Sequence, residues 1–361
     1  MVYTNKISFF LCLFLTTTTS RGETTARTLK NESQPEQCMS QNCGESIVIE
    51  ADGTMTVVMA EQPASPVPPV TTTTTTSESV VDEEAPPMNE NSIWNALLQH
   101  QGNIPFGKVL DAGTGVNSMK FIANSLTHYG MTTYTAVTGS QKMQEMVQET
   151  AQESNVTHLG EVIYGNWFDE ENPLELDEMY DVIFVDYLIG AMDAFSPYMQ
   201  DVMLSKLSAY LNPGGRMYVV GLEPIPDHLS EEQKAATNSI TGANMICQMK
   251  HLRDACVLLG AKRIYREFPL TWMERQLGKL QDMTVLHTRV FPSRWSTDNF
   301  KRQLDNGRMY LDYFYSKELA EQMAGELNEI GRQFDQLTLD LEDKMVNFGS
   351  DYYAVAEKKK L

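Results

Sequence analysis

From residue 92 onward, apolar and polar positions follow two alternating rhythms. Short unbroken apolar runs, of which DVIFVD at 181–186 is the clearest, are separated by stretches in which apolar residues recur every third or fourth position. The first pattern is that of a strand buried on both faces and the second that of an amphipathic helix. This predicts strands at 108–111, 133–137, 161–164, 181–186 and 216–221, with helices at 92–100, 118–129, 141–154 and 196–211. Such a succession predicts a parallel sheet with helices on both faces. Ligands of open parallel sheets bind beyond the carboxyl ends of the strands. That rule points to 111–117, 138–140, 166–167, 186–187 and Glu223.

The second half is less regular. A helix is expected at 241–259, a short one within PLTWMERQLGKL, and a strand at MTVLHTRVF. The stripe Leu319, Met323, Leu327, Ile330, Phe334, Leu337 and Leu341 predicts a long amphipathic helix over 317–345. SDYYAVAEKKK then reads as a last strand, so the chain should end in a hairpin-like pair connected through a long helical insert. The near-heptad stripe also suits contact with a second copy of the chain.

Residues 21–91 have a different texture. PASPVPPV, six consecutive threonines and SESVVDEEAPP are low-complexity, and positions 21–90 hold 12 acidic and 3 basic residues. A segment of this kind buries too little apolar surface to offset its ordering entropy, and reads as a disordered acidic tail. Its exception is SIVIEADGTMTVVM at 46–59, which has the form of two short strands around Asp52-Gly53. Residues 1–20 carry one charge, Lys6, and an apolar run at 7–15 that is too short to span a bilayer. They read as a signal peptide, or as an anchor if uncleaved, and predict entry to the secretory pathway, with a plastid or other organelle as the alternative.

The formal net charge of −20 argues against a nucleic-acid partner, whose phosphates require clustered Lys and Arg. Of five cysteines, Cys12 lies in the signal segment, Cys38 and Cys43 could close a small loop in an oxidising lumen, and Cys247 and Cys256 read as core. No Cys or His spacing suggests a metal site. Asn31 and Asn155 head glycosylation triplets.

The most informative stretch is KVLDAGTGVNSMKF at 108–121, a buried strand ending in Asp111 and running into a turn with Gly113, Thr114 and Gly115. Asn117 stands near the position where a dinucleotide-binding pattern would place its third glycine. Together with YDVIFVD at 180–186 and LNPGGRMYVV at 211–220, this turn resembles the class I S-adenosylmethionine-dependent methyltransferases over roughly residues 92–358. More narrowly, the chain resembles a group of methyltransferase-like proteins with DAGTG, AVTG and GLEP strands, for which the resemblance implies no particular substrate.

The resemblance implies an α/β, Rossmann-like, doubly wound, mostly parallel seven-stranded sheet. The segments at about 224–265 and 296–346, rich in aromatic residues, are expected as helical inserts that cover an acceptor pocket. The resemblance also implies S-adenosyl-L-methionine as cofactor, methyl transfer as the reaction and a small molecule as acceptor. Carried over residue by residue, Gly113 and Gly115 allow close approach of the methionine part of the cofactor, with Thr114 beside them. Asp111 accepts from its amino group, and Asn117 and Ser118 cap the following helix. Asn166 would contact the adenine amine, and Trp167 either covers the adenine or belongs to the core. Asp186 and Tyr187 stand beside the expected methyl and are the candidate catalytic pair, Asp186 also as a cofactor contact. Glu223 is a weaker candidate.

One departure concerns ribose. The family commonly ends its second strand in an acid, whereas here TAVTGSQK leaves Thr138 and Ser140 as the nearest polar side chains. A hydroxyl makes fewer hydrogen bonds to a diol than a carboxylate accepts. Two other readings stay open: a non-catalytic binding protein that keeps the fold, which the missing acid favours, and a polyamine synthase-like aminopropyltransferase, whose YDVI-x-x-D strand and cationic substrates would suit this acidic chain but whose ribose-binding acid is also missing here.

Overall fold

The computed structural model describes Glu45–Ile49, Met55–Met59 and residues 92–360. The signal segment, Cys12, Cys38, Cys43, Asn31 and the side chain of His128 lie outside the described residues. Strands β1 (Glu45–Ile49) and β2 (Met55–Met59) pair antiparallel, with Ile47 opposite Val57, as the alternation at 46–59 predicts. This hairpin belongs to a separate unit from everything that follows.

The larger unit is built on a seven-stranded sheet. Its strands are β3 (Gly107–Asp111), β4 (Met131–Thr138), β5 (Gly160–Tyr164), β6 (Tyr180–Asp186), β7 (Leu211–Leu222), β8 (Met283–Ser296) and β9 (Met345–Lys358). They lie in the order β5-β4-β3-β6-β7-β9-β8. The first five are parallel, and β9 runs antiparallel between β7 and β8. The mostly parallel seven-stranded sheet expected from the sequence is therefore present. Strand order reverses between β3 and β6, and the crevice at that switch point is where a ligand is expected.

Strand β6 shows why the sheet is legible. Val182 and Phe184 enter one apolar core, with α1 (Ile93–Gln101), α2 (Val116–His128) and α3 (Gln141–Glu153). Ile183 and Val185 enter the opposite core, with α4 (Leu188–Phe195), α5 (Gln200–Ala209) and α8 (Leu270–Leu277). Successive side chains of a strand point to opposite faces, so a strand covered on both sides must be apolar throughout.

The inserts form a third core. It joins α7 (Ile240–Leu259), α9 (Thr297–Arg308) and α10 (Lys317–Leu339), while the short α6 (Glu231–Ala236) buries no residue. Phe300 and Phe334 stack in this core at 3.9 Å between ring centroids, and Cys247 and Cys256 are buried free thiols within it. The pair β8–β9 is connected through α9, a 3₁₀ turn at Leu311–Tyr313 and α10, the helical insert that the sequence implies.

Three expectations need correction. The helix expected at 196–211 is the shorter α5, Gln200–Ala209, and α4 precedes it over residues for which the sequence predicts no helix. Tyr187 takes a left-handed conformation (φ 51°) and starts a helix at Leu188; Pro197 then disfavours helical backbone at Ser196 and separates the two. The long helix ends at Leu339 rather than 345, because Met345 and Val346 pair with Ser296 and Trp295 of β8. For the same reason the last strand starts five residues before Ser350, bending at Gly349 (φ 79°).

Candidate functional site

The turn after β3 is tied to both neighbouring strands. Ala112 N donates to Phe184 O of β6 at 2.9 Å, and Thr114 N donates to Val137 O of β4 at 2.7 Å. A Cβ on Gly113 would lie 2.8 Å from Cβ of Leu188, so glycine is required there by the close approach of α4. Gly115 has open space where its Cβ would be, and caps α2 in an extended conformation. Ser118 completes that cap: its hydroxyl accepts from Gly115 N at 2.9 Å and donates to Gly115 O at 3.0 Å. Asn117, expected to share the capping, is exposed and makes no cap contact.

Asp111 ends β3 wholly buried, and neither carboxylate oxygen has a hydrogen-bond partner. Burial pushes its carboxyl from 3.8 up to about 6. The hydroxyls of Ser118 and Thr114 and the Gly113 N–H oppose that rise from nearby, without the alignment of hydrogen bonds.

A cleft opens over this turn at the carboxyl ends of β3, β4, β5 and β6. Of the residues singled out in the sequence, Gly113, Thr114, Thr138, Asn166, Trp167, Asp186 and Tyr187 all line it. Asp111, Gly115 and Asn117 do not: Asp111 lies beneath the surface, and the other two sit at the start of α2. The remaining wall comes largely from α4, through Leu188, Ala191, Met192 and Phe195, and from Tyr265. The helix was not foreseen, so neither was this apolar side of the cleft.

Trp167 is buried, and its indole N–H donates to Ala112 O at 2.8 Å. The ring is thus fixed to the backbone of the glycine turn, and the residue also lines the cleft. Asn166 is already committed. Its nitrogen donates to Phe195 O at 2.9 Å, and its oxygen accepts from Phe168 N at 3.1 Å and Ser196 Oγ at 2.5 Å. Both lone pairs of that oxygen are used, so Asn166 shapes the cleft by joining two loops and has no free acceptor for an adenine amine. Thr138 is buried, and its hydroxyl accepts from Ser140 N at 3.3 Å. Ser140 caps α3 by accepting from Met143 N at 3.3 Å.

Among the described residues Asp186 is the only carboxylate lining the cleft, and no Lys or Arg lines it. Its Oδ1 is buried without a partner. Burial first, then the charges of Asp111 and Asp351, push its carboxyl from 3.8 up to about 7. Tyr187 follows, and its hydroxyl donates to Asp351 Oδ1 at 2.8 Å. Asp351 on β9 also accepts from Ser293 Oγ at 2.8 Å. Burial and the neighbouring Asp351 push the Tyr187 phenol far up, so it stays protonated. Asp351 lies 164 residues further along the chain, and no local pattern marks it.

Tyr187 and Tyr265 line both the cleft and a second cavity of about 460 Å³, and so form the wall between them. The Tyr265 hydroxyl donates to Tyr187 O at 3.3 Å, and its ring lies where a Cβ on Gly190 would be, 2.1 Å from Cζ. The second cavity is bordered by the inserts, including Arg253, Glu267, Gln303 and Tyr310. Residues of the inserts therefore border an open space beside the cleft. Glu223 is elsewhere: its Oε1 accepts from Leu270 N at 2.9 Å, at the start of α8. Among the described residues no group of three or more His, Cys, Asp and Glu could hold a metal ion, and no helix is long and apolar enough to cross a membrane.

No protein-family model matches the chain, and no curated protein matches it. Solved structures with a similar architecture include YjhP from E. coli, at 15% identity and TM-score 0.42, covering 76% of this chain and 95% of that one. YcgJ from Bacillus subtilis aligns at 16% identity and TM-score 0.44, over 74% of this chain and 98% of that one. A SAM-dependent methyltransferase from Thiobacillus denitrificans, solved in complex with S-adenosyl-L-homocysteine, aligns at 17% identity and TM-score 0.40, over 73% and 90% respectively. At such identities and TM-scores the likeness concerns general architecture and bears on neither substrate nor mechanism.

Proposed function

We propose that the cleft at the switch point of the sheet binds S-adenosyl-L-methionine and that the chain directs methyl transfer to a small-molecule acceptor entering through the second cavity. The observation that carries this reading is electrostatic. Asp186 borders the cleft with one oxygen buried and unpartnered, Asp111 lies buried and unpartnered beneath, and no lining Lys or Arg answers either. Buried carboxylates without partners are costly, and a cationic ligand relieves that cost. The cofactor has an ammonium and a sulfonium, and needs no pyrophosphate site, in keeping with a turn that lacks the dinucleotide pattern.

Gly113 and Thr114 would lie against the methionine part, Thr138 would offer its hydroxyl toward the ribose, and Trp167 and Phe195 would flank the base. When bound, the cofactor supplies an electrophilic methyl group on sulfur. The protein's own task is then to align the acceptor, exclude water and accept a proton. A carboxyl held at about 7 is suited to take a proton from an acceptor hydroxyl or amine near neutral pH. Tyr187 holds its own proton on Asp351, so it serves as a fixed wall that orients the acceptor instead of as an acid.

Calorimetric titration of the full chain tests the binding. Wild-type protein should bind S-adenosyl-L-methionine with one site per chain, and Ala191→Phe, which fills the cleft from α4, should abolish binding while remaining folded. Equal binding by both proteins would contradict the proposed site. For localisation, the apolar run at 7–15 supports secretory entry, and N-terminal sequencing of the mature protein tests it.

A further inference from the structure

The cleft must handle two forms of its ligand that differ by one charge. On the reading above, the methylated cofactor is a sulfonium cation and the demethylated product is a neutral thioether, with every other group the same. We infer that Asp186 makes the cleft selective for the charged cofactor over its neutral product, so that Asp186 is a specificity-determining residue for product release.

The geometry supports this in three ways. Asp186 ends β6 in the lining of the cleft, next in sequence to Tyr187, which borders both the cleft and the second cavity from which the acceptor would enter. Its Oδ1 has no hydrogen-bond donor, so a positive charge on the ligand is its available partner. The groups that face it are Asp111 from β3, Asp351 from β9, and the phenols of Tyr187 and Tyr265. All of these are acidic or neutral. The arginines bordering the second cavity have acidic neighbours of their own: Arg253 lies 2.7 Å from Asp254, and Arg263 lies 3.7 Å from Asp193. Loss of the methyl group therefore removes the one compensating charge from this corner, and once the proton that Asp186 accepts has passed to solvent the product faces an unpartnered carboxylate.

The effect depends on pH because burial and the neighbouring acids hold this carboxyl at about 7. Below that value Asp186 is neutral and the two ligands should be bound alike. Above it the ionised carboxylate favours the sulfonium only.

The test is calorimetry on the full chain with S-adenosyl-L-methionine, S-adenosyl-L-homocysteine and sinefungin, whose protonated amine replaces the sulfonium centre. From pH 6 to pH 8 the ratio of homocysteine-form Kd to methionine-form Kd should rise roughly five- to tenfold, as linkage to a single carboxyl near 7 allows. Sinefungin should follow the methionine form, which checks the inference without any variant. In Asp186→Asn the ratio should stay constant over the same range. A ratio independent of pH in the wild type, with both ligands bound, would overturn the selectivity and leave the cofactor site standing. Failure of all three ligands to bind would overturn the cofactor site and this inference with it.

Discussion

Replacing Asp186 with Asn should alter how stability varies with pH. In the folded chain the Asp186 carboxyl is pushed from 3.8 up to about 7, chiefly by burial and then by Asp111 and Asp351. In the unfolded chain it ionises near its ordinary value. Between those limits the folded state binds the additional proton, so the native protein loses stability as pH rises from about 4 to about 7 and regains none above. Each pH unit of that difference corresponds to about 1.4 kcal/mol. Integrated from pH 5 to pH 8, the wild-type carboxylate costs about 2.5 kcal/mol that the Asn side chain does not. Urea unfolding of both proteins at the two pH values measures it. Asp186→Asn should gain on the wild type by about 2.5 kcal/mol over that interval, or about 5 °C in melting temperature. An unchanged difference between the two proteins at pH 5 and pH 8 would show a solvated, fully ionised carboxylate, and would refute the electrostatic account of the cleft.

Two further outcomes follow from packing. Gly190→Ala places a Cβ 2.1 Å from Cζ of Tyr265, so the ring must leave the wall of the cleft; the expected loss is about 1–3 kcal/mol in urea unfolding, and in a Tyr265→Ala background the same change should cost little, a large coupling in a double-mutant cycle. Phe334→Ala removes a wholly buried ring stacked on Phe300 and should cost about 3–5 kcal/mol, with a loss under 1 kcal/mol indicating that the insert core is not cooperative with the rest.

How far the site could be read in advance depends on where its residues come from. The floor of the cleft follows from strand ends, and a parallel sheet buried on both faces announces its strands as unbroken apolar runs. Gly113, Thr114, Thr138, Trp167, Asp186 and Tyr187 were accessible in that way. The α4 wall was not, because its helix depends on a left-handed Tyr187, a tertiary feature, and LIGAMDAF is too apolar to show a helical stripe. Asp351 and Ser293 meet Tyr187 only through the antiparallel β8–β9 pairing, which no local spacing encodes. The resemblance gives Asn166 an adenine contact from its place after the third parallel strand, whereas in the structure its side chain hydrogen-bonds Phe195, Phe168 and Ser196 and joins two loops. Position predicted the neighbourhood, and only the contacts decided the role. Helix α9 lies within the insert expected at about 296–346 but has no stripe of its own to mark its bounds, because Phe300 and Leu304 are its only buried apolar side chains.

The most direct test of the account is a crystal structure of the full chain grown with saturating S-adenosyl-L-homocysteine. The account predicts the ligand in the switch-point cleft, its amino-acid part against Gly113 and Thr114, its base beside Trp167 and its sulfur facing Asp186 and Tyr187. Ligand bound elsewhere, or a cleft that stays empty at saturation, would contradict it.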